Sequence, residues 1–172
     1  MFNGYKLRIL DKKICEQYAK ELAKLADQIP QVRYTEKEIL AESKKDRIFL
    51  GKWEHSLVLF DGNKPIALII GYERKSENNE QYPENTLYIS ELAVAEDYQN
   101  KGIGRKILLE FLKRNKRIGF KYLKGKLNFS VQTNSAEWNK YVQDLYKSLG
   151  FAVRSQKDYS DRIDIILGYK PN

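Results

Sequence analysis

Thr86-Leu87-Tyr88-Ile89-Ser90-Glu91-Leu92-Ala93-Val94 is followed, after four residues, by Gln99-Asn100-Lys101-Gly102-Ile103-Gly104-Arg105. The first stretch is rich in β-branched, aromatic and aliphatic residues and reads as a strand. Simple alternation puts Leu87, Ile89, Glu91 and Ala93 on one face, and Tyr88, Ser90, Leu92 and Val94 on the other. From Gly102 to about Ile118, apolar Ile103, Ile107, Leu108, Phe111 and Leu112 recur at helical spacing. The two glycines between strand and helix let the backbone bend closely around a ligand. A helix amino terminus presents unpaired N–H groups and the positive end of a dipole. Strand, glycine turn and helix start together make a phosphate cradle. Lys101, Arg105 and Lys106 add positive charge beside it.

Two familiar phosphate motifs fail here. A dinucleotide fingerprint needs a third glycine where Ile107 stands. A P-loop needs Gly-Lys-Ser/Thr after its glycines, and the stretch has none. A Gly-x-Gly pair alone reads equally well as a plain turn, so its surroundings decide.

Downstream, Leu127 to Thr133 reads as a strand, which makes Thr86 to Thr133 a βαβ unit with a right-handed crossover. Trp138 to Leu149 reads as a helix with Tyr141, Leu145 and Leu149 on one face, and Gly150 stops it. Phe151–Val153 and Ile163–Tyr169 read as strands around a polar loop, Arg154 to Asp161. Upstream, Tyr5 to Leu10 alternates as a strand, and Asp11 caps an amphipathic helix from Lys12 to Ala26. Thr35 with Glu38 makes a capping box for a second helix through about Ser43. Ser56–Phe60 and Lys64–Tyr72 flank Asp61-Gly62-Asn63, a hairpin turn, and Ser76–Asn85 is a polar loop. The order βααβββαβαββ predicts an α+β fold, a mixed sheet with helices on its faces. No repeat or linker divides residues 1–172, so one domain is expected.

Composition narrows the function. The net charge is +8, yet Lys101–Lys126 alone carries ten basic residues and one acid, leaving the rest of the chain at −1. A segment of that kind calls for an anionic partner, either a phosphate-bearing small molecule or a nucleic acid. One cysteine, Cys15, and one histidine, His55, exclude an intrachain disulfide and a Cys/His zinc site, so no metal is expected. The longest aliphatic run, Ile66–Ile70, is too short to span a bilayer, and the first ten residues lack a signal-peptide pattern. These features predict a cytoplasmic protein with no membrane partner.

Glu91 upstream, the motif Gln99 to Gly104, and Asn139 with Leu145-Tyr146 and Gly150-Phe151 downstream resemble the GNAT N-acetyltransferase superfamily. The resemblance spans nearly the whole chain in element order, with its specific motifs in Leu87–Phe151. Val142 stands where alanine is usual, and Asn134 rivals Asn139 for the asparagine role. The resemblance implies a mostly antiparallel sheet with a central βαβ cofactor unit that takes acetyl-CoA as cosubstrate. It implies that amides from Asn100 to Arg105, Gly102, Ile103 and Gly104 among them, hold the pyrophosphate, with Gln99, Lys101 and Lys106 beside them. It implies that main-chain groups of Ala93 and Val94, left without ladder partners where two strands splay, take up the pantetheine arm. Glu91 is then the general base that removes a proton from an amine acceptor, directly or through water, and Tyr146 the acid that protonates the departing thiolate. The acceptor is expected against Gln31, Arg33 and Tyr34 of one loop and Arg154, Lys157, Asp158, Tyr159 and Asp161 of another. Homodimers are common in the family, which leaves a homodimer open.

Each residue also has a structural reading. Glu91 reads as a solvated or salt-bridged strand residue, Tyr146 as packing, and Asn134 and Asn139 as helix braces. His55 reads as an ordinary loop residue and Cys15 as an apolar filler. The leading function is transfer of the acetyl group of acetyl-CoA to a primary amine of a small molecule or peptide. A catalytically inactive CoA-binding regulatory or interaction module is the alternative. A nucleic-acid-binding domain built on Lys101–Lys126 ranks below both, because only Phe120 and Tyr122 interleave that stretch with aromatics.

Overall fold

The computed structural model describes residues 4–27, 34–44, 47–48, 50–75, 85–123 and 130–170. The expected contacts of Gln31 and Arg33, the loop 76–84, residues 127–129, and Lys124 and Lys126 lie outside them. Nine strands and five helices follow in the order β1 (Lys6–Ile9), α1 (Lys12–Ala26), α2 (Glu36–Leu40), β2 (Ser43–Lys44), β3 (Arg47–Ile48), α3 (Lys52–His55), β4 (Leu57–Asp61), β5 (Lys64–Arg74), β6 (Thr86–Val94), α4 (Ile103–Ile118), β7 (Val131–Ala136), α5 (Lys140–Lys147), β8 (Ala152–Asp158) and β9 (Ile163–Tyr169) among these residues. One 3-10 turn, Glu96–Tyr98, joins β6 to α4.

Seven strands form one sheet in the order β1-β4-β5-β6-β7-β9-β8, while β2 and β3 make a separate ribbon. Every pairing in the large sheet is antiparallel except β6 with β7, the two strands joined through α4. This is the mixed sheet that the element order predicts, mostly antiparallel as the family resemblance implies. Two cores lie on its two faces. Leu10, Leu22 and Ile39 pack with Val58, Leu68 and Ile70 under α1 and α2. Ile107, Leu108 and Phe111 of α4 pack with Leu59, Ile69, Leu87 and Leu167 on the other face, together with Tyr146 of α5.

The local signals explain the helix starts. The Asp11 carboxylate accepts from Ile14 N at 2.8 Å. Thr35 and Glu38 form the reciprocal capping box. The helix after it ends at Leu40 rather than near Ser43, because buried Lys52 reaches its C-terminal carbonyls. Lys52 Nζ donates to Glu38, Ile39 and Ala41 O at 2.9, 2.7 and 2.8 Å. Burial pushes that ammonium down to about 8.

Four further expectations are corrected. The strand after α4 runs Val131–Ala136 and the next helix is Lys140–Lys147, so Thr133–Ala136 is strand. Tyr141 is not on the packed face of α5 but 71% exposed; Gln143 and Tyr146 are the buried residues. The polar stretch Arg154–Asp158 is not loop but edge strand β8, whose exposure hides its pairing with β9 from any hydrophobic pattern. His55 is not a loop residue. It ends α3, fully buried, with Nδ1 2.7 Å from Asn115 Oδ1 and Nε2 2.9 Å from Glu73 Oε1.

Cys15 is a buried filler, its thiol pushed up to about 11 by burial.

Candidate active site

The site begins with a fault in β6. Ile70 pairs with Glu91 and Gly71 with Ile89, so Ser90 is the extra residue of a β-bulge. A bulge inverts the alternation beyond it. Leu87 and Ile89 therefore face α4, whereas Glu91 stands opposite Ile70 and shares the α1 face with Ala93. This corrects the single face expected for Leu87, Ile89, Glu91 and Ala93. Tyr34, just before α2, braces the bulge: its hydroxyl lies 2.7 Å from Ser90 Oγ. Burial pushes the Tyr34 phenol well above its ordinary value.

The same fault opens the sheet. β6 and β7 pair at Leu87 with Val131, Tyr88 with Gln132 and Ile89 with Thr133, and at no later position. Beyond them β6 stays with β5 while Asn134 to Ala136 stay with β9. A cavity of about 570 Å³ occupies the gap. Ala95 N donates to Ile66 O at 2.8 Å. By the alternation of an antiparallel ladder, Ala93 then bonds toward β5, and the N–H and C=O of Leu92 and Val94 point to the gap. The expectation for Ala93 is thereby corrected: its backbone belongs to the ladder, although the residue still borders the cavity. Gln99 Nε2 donates to Val94 O at 3.0 Å, tying the glycine turn to the strand end.

At that end the backbone winds into α4 through two left-handed residues, Asn100 (φ 58°) and Gly102 (φ 73°). Gly102 is the N-cap and offers no side chain to cover the first-turn N–H groups. Asn100, Gly102, Ile103, Gly104 and Arg105 border the cavity with Gln99. A Cβ at Gly104 would sit 3.6 Å from Val94 Cγ2 and 3.9 Å from Leu145 Cδ2, ordinary contacts that would fill the cradle.

The cationic trio does not act as one group. Arg105 borders the cavity and donates to Ser148 Oγ at 2.6 Å. Lys101 is turned back, donating to Asp97 O at 2.7 Å and lying over the Tyr98 ring, and neither it nor Lys106 borders the cavity. The expectation of Lys101 and Lys106 beside the cradle is corrected accordingly.

Glu91 and Tyr146 enter the gap from opposite faces, and both are 2% exposed. Burial pushes the Tyr146 phenol well above its ordinary value; its hydrogen bond with Thr133 offsets part of this, and the charge of Glu91 adds to it. The phenol therefore holds its proton at neutral pH. Asn139 Oδ1 caps α5, accepting from Val142 N at 3.3 Å, so it braces the helix while bordering the cavity beside Asn134.

The family model described as the Acetyltransferase (GNAT) family matches residues 19–151. The chain belongs to the GNAT acetyltransferase family. Solved structures share the fold across 98% of this chain and 99% of each of theirs. A chain of the NatC complex bound to Gag peptide and CoA is 20% identical with a TM-score of 0.73. Ard1 from Thermoplasma volcanium is 19% identical, at 0.70. Arabidopsis thaliana Naa50, in complex with the bisubstrate analogue CoA-Ac-MVNAL, is 17% identical, at 0.68. No curated protein matches in a sequence search.

Of the acceptor-side residues, Tyr34 and Tyr159 border the GNAT cavity, whereas Arg154, Lys157, Asp158 and Asp161 do not. Sequence reading missed Tyr72, Tyr88, Ser90, Arg162 and Asp164, which do. Tyr72 and Tyr88 are register partners with ring centroids 5.4 Å apart. The hairpin turn also holds its own charge: Arg162 Nε donates to Asp164 Oδ1 at 2.9 Å.

Proposed function

We propose that this protein transfers the acetyl group of acetyl-CoA directly to a primary amine of a small molecule or a peptide. The observation that carries the reading is the gap between β6 and β7. It joins the two faces of the sheet, with the α4 amino terminus and Tyr146 on one face and Glu91 with Tyr34 on the other.

The chemistry of the donor set fits acetyl-CoA. First-turn N–H groups from Gly102 to Arg105, the Arg105 guanidinium and the helix dipole suit a pyrophosphate. The gap-facing main-chain groups of Leu92 and the N–H of Val94, whose carbonyl is held by Gln99, suit the amides of an extended arm, as an added strand would. When bound, acetyl-CoA supplies an activated acyl group. The residues of the chain do the rest. Val94 N–H stabilises negative charge that develops on a carbonyl oxygen in the gap. Glu91, at the end of the gap nearest α1 and α2, takes the proton from the amine, because an alkylammonium cannot attack until it is deprotonated. Tyr146 donates its proton to the leaving thiolate from the α5 side. Tyr34, Tyr72 and Tyr88 form an aromatic wall on the Glu91 side, which favours an ammonium group as it arrives.

Titration of the purified protein with acetyl-CoA, followed by thiol release against a panel of amines and peptides, tests the reading. Saturable binding and amine-dependent release of CoA are expected. Absence of heat or thermal shift at millimolar acetyl-CoA overturns it. Binding without turnover on any acceptor would favour the inactive CoA-binding module.

A further inference from the structure

The cofactor cradle uses only the first turn of α4. Its apolar face is consumed by the sheet: Ile107, Leu108 and Phe111 are fully buried. The opposite face carries Lys106, Lys113, Lys116 and Arg117, all exposed, with Lys121 just beyond the helix. Lys106, Lys113 and Arg117 fall seven and four residues apart, on one stripe with Leu109. The stripe extends over about 16 Å at about 1.5 Å per residue. Among the described residues Lys106, Lys113, Arg117 and Lys121 make no salt bridge closer than 4.0 Å. None of these five cations borders the cavity. Lys113 and Arg117 are like charges one turn apart, an arrangement that disfavours the helix by itself.

We propose that this face of α4 docks on a double-helical nucleic acid through its phosphate backbone. A convex helix surface with side chains spread along it cannot enclose a small anion, but it can lie along a polyanion. A duplex carries one charge per about 1.7 Å, so the stripe covers on the order of ten of them. A membrane fits less well. A helix that lies in a bilayer interface needs an apolar face to insert, and that face of α4 is already inside the protein. Leu109 at 43% and Tyr122 at 50% exposure are the large apolar side chains left near the stripe. The lack of interleaved aromatics likewise argues for backbone contact rather than stacking on single strands.

The test is fluorescence anisotropy of the full chain with labelled 20-base-pair RNA and DNA duplexes. If three or four phosphates are contacted, the salt slope is about −3, and affinity falls roughly 60-fold between 50 and 200 mM salt. Lys113→Glu with Arg117→Glu should weaken binding at least about tenfold. Lys13→Glu with Lys20→Glu, the same charge change on exposed α1 positions, should leave it within about threefold. Saturating CoA should not compete, which separates this surface from the cofactor reading. Three results overturn the proposal: no binding of either duplex at 50 mM salt, whether or not phosphatidylserine vesicles bind, equal loss in both double variants, or displacement by CoA. Thermal unfolding of both double variants at the wild-type temperature shows that the losses are not failures to fold.

Discussion

The two ends of the β5–β6–α4 unit solve opposite problems. At the end where α4 finishes, buried polar groups are joined into one network. The Glu73 carboxylate accepts from His55 Nε2 at 2.9 Å, from Tyr122 N at 2.9 Å and Leu123 N at 2.7 Å, and from Lys121 N. Asn115 Nδ2 donates to His55 O and Phe111 O, which fixes its Oδ1 toward the imidazole. Both ring nitrogens of His55 thus face oxygen acceptors. At the end where α4 begins, the strands part, and backbone groups of Leu92 and Val94 face a cavity. The closed end shows how the sheet and helix are anchored. The open end shows what that anchoring makes available: polar groups held in place beside a cavity, the Val94 carbonyl tied by Gln99 and the others turned toward a ligand. Local stability and local function are drawn from different ends of the same three elements.

The largest effect expected from breaking this contrast is at the closed end. Glu73→Ala strands the buried imidazole and three main-chain N–H groups, and should cost about 3–5 kcal/mol in urea unfolding. Loss below 1 kcal/mol would show that the network is not the anchor. Acid probes the same residue. Burial pushes the Glu73 carboxyl up, but its hydrogen bonds from Lys121, Leu123, His55 and Tyr122 outweigh this and hold it below the usual range. A carboxylate with a lowered folded value binds its proton more readily when unfolded. Its stabilisation is complete above the unfolded value, about 4.3, and is lost as pH falls through the lower folded value. The acid limb of the stability–pH curve should therefore flatten in Glu73→Ala.

The open end should respond the other way. In Gly104→Asp the new Cβ makes ordinary contacts, so unfolding should change by less than about 1 kcal/mol. The carboxylate would occupy the cradle with the wrong charge, and acetyl-CoA affinity should fall at least about 100-fold, roughly 2.7 kcal/mol. Unfolding without selective loss of binding would dissolve the contrast. Tyr146→Phe removes one proton from the gap. Turnover should fall roughly 100-fold while acetyl-CoA affinity stays within about threefold. Unchanged turnover would leave Tyr146 a packing residue.

Much of the open end was legible locally. The strand, the glycine turn and the amphipathic helix are contiguous, and each obeys a short-range rule of alternation, left-handed backbone or helical period. The capping box at Thr35 and the stop at Gly150 are local for the same reason. The closed end was not legible, because Glu73 meets Tyr122 across 49 positions and His55 meets Asn115 across 60. Nothing near His55 announces that it is buried. Lys52 is hidden in the same way, since a lysine reads as surface until three carbonyls are found around it. The bulge at Ser90 falls between the two cases. Its residues look like an uninterrupted strand, and only the register with β5 shows that alternation turns over there.

That turnover makes Tyr34 the smallest and most discriminating probe. Its hydroxyl is the brace between the segment before α2 and the bulged Ser90, one residue from Glu91. Tyr34→Phe keeps the ring in its buried seat and removes only the oxygen. One hydrogen bond is lost, so stability should drop by about 1 kcal/mol. If the brace also sets the direction of Glu91, turnover should fall several-fold while acetyl-CoA affinity stays unchanged, because the cofactor side of the gap rests on α4 and α5. Ser90→Ala removes the same brace from its other end, together with the long 3.4 Å bond from Ser90 Oγ to Ile70 O. The two variants should match in turnover, and their combination should lose little more than either alone, as partners in one interaction do. Additive losses would mean that Tyr34 acts on the acceptor directly and that the bulge holds its shape through the sheet.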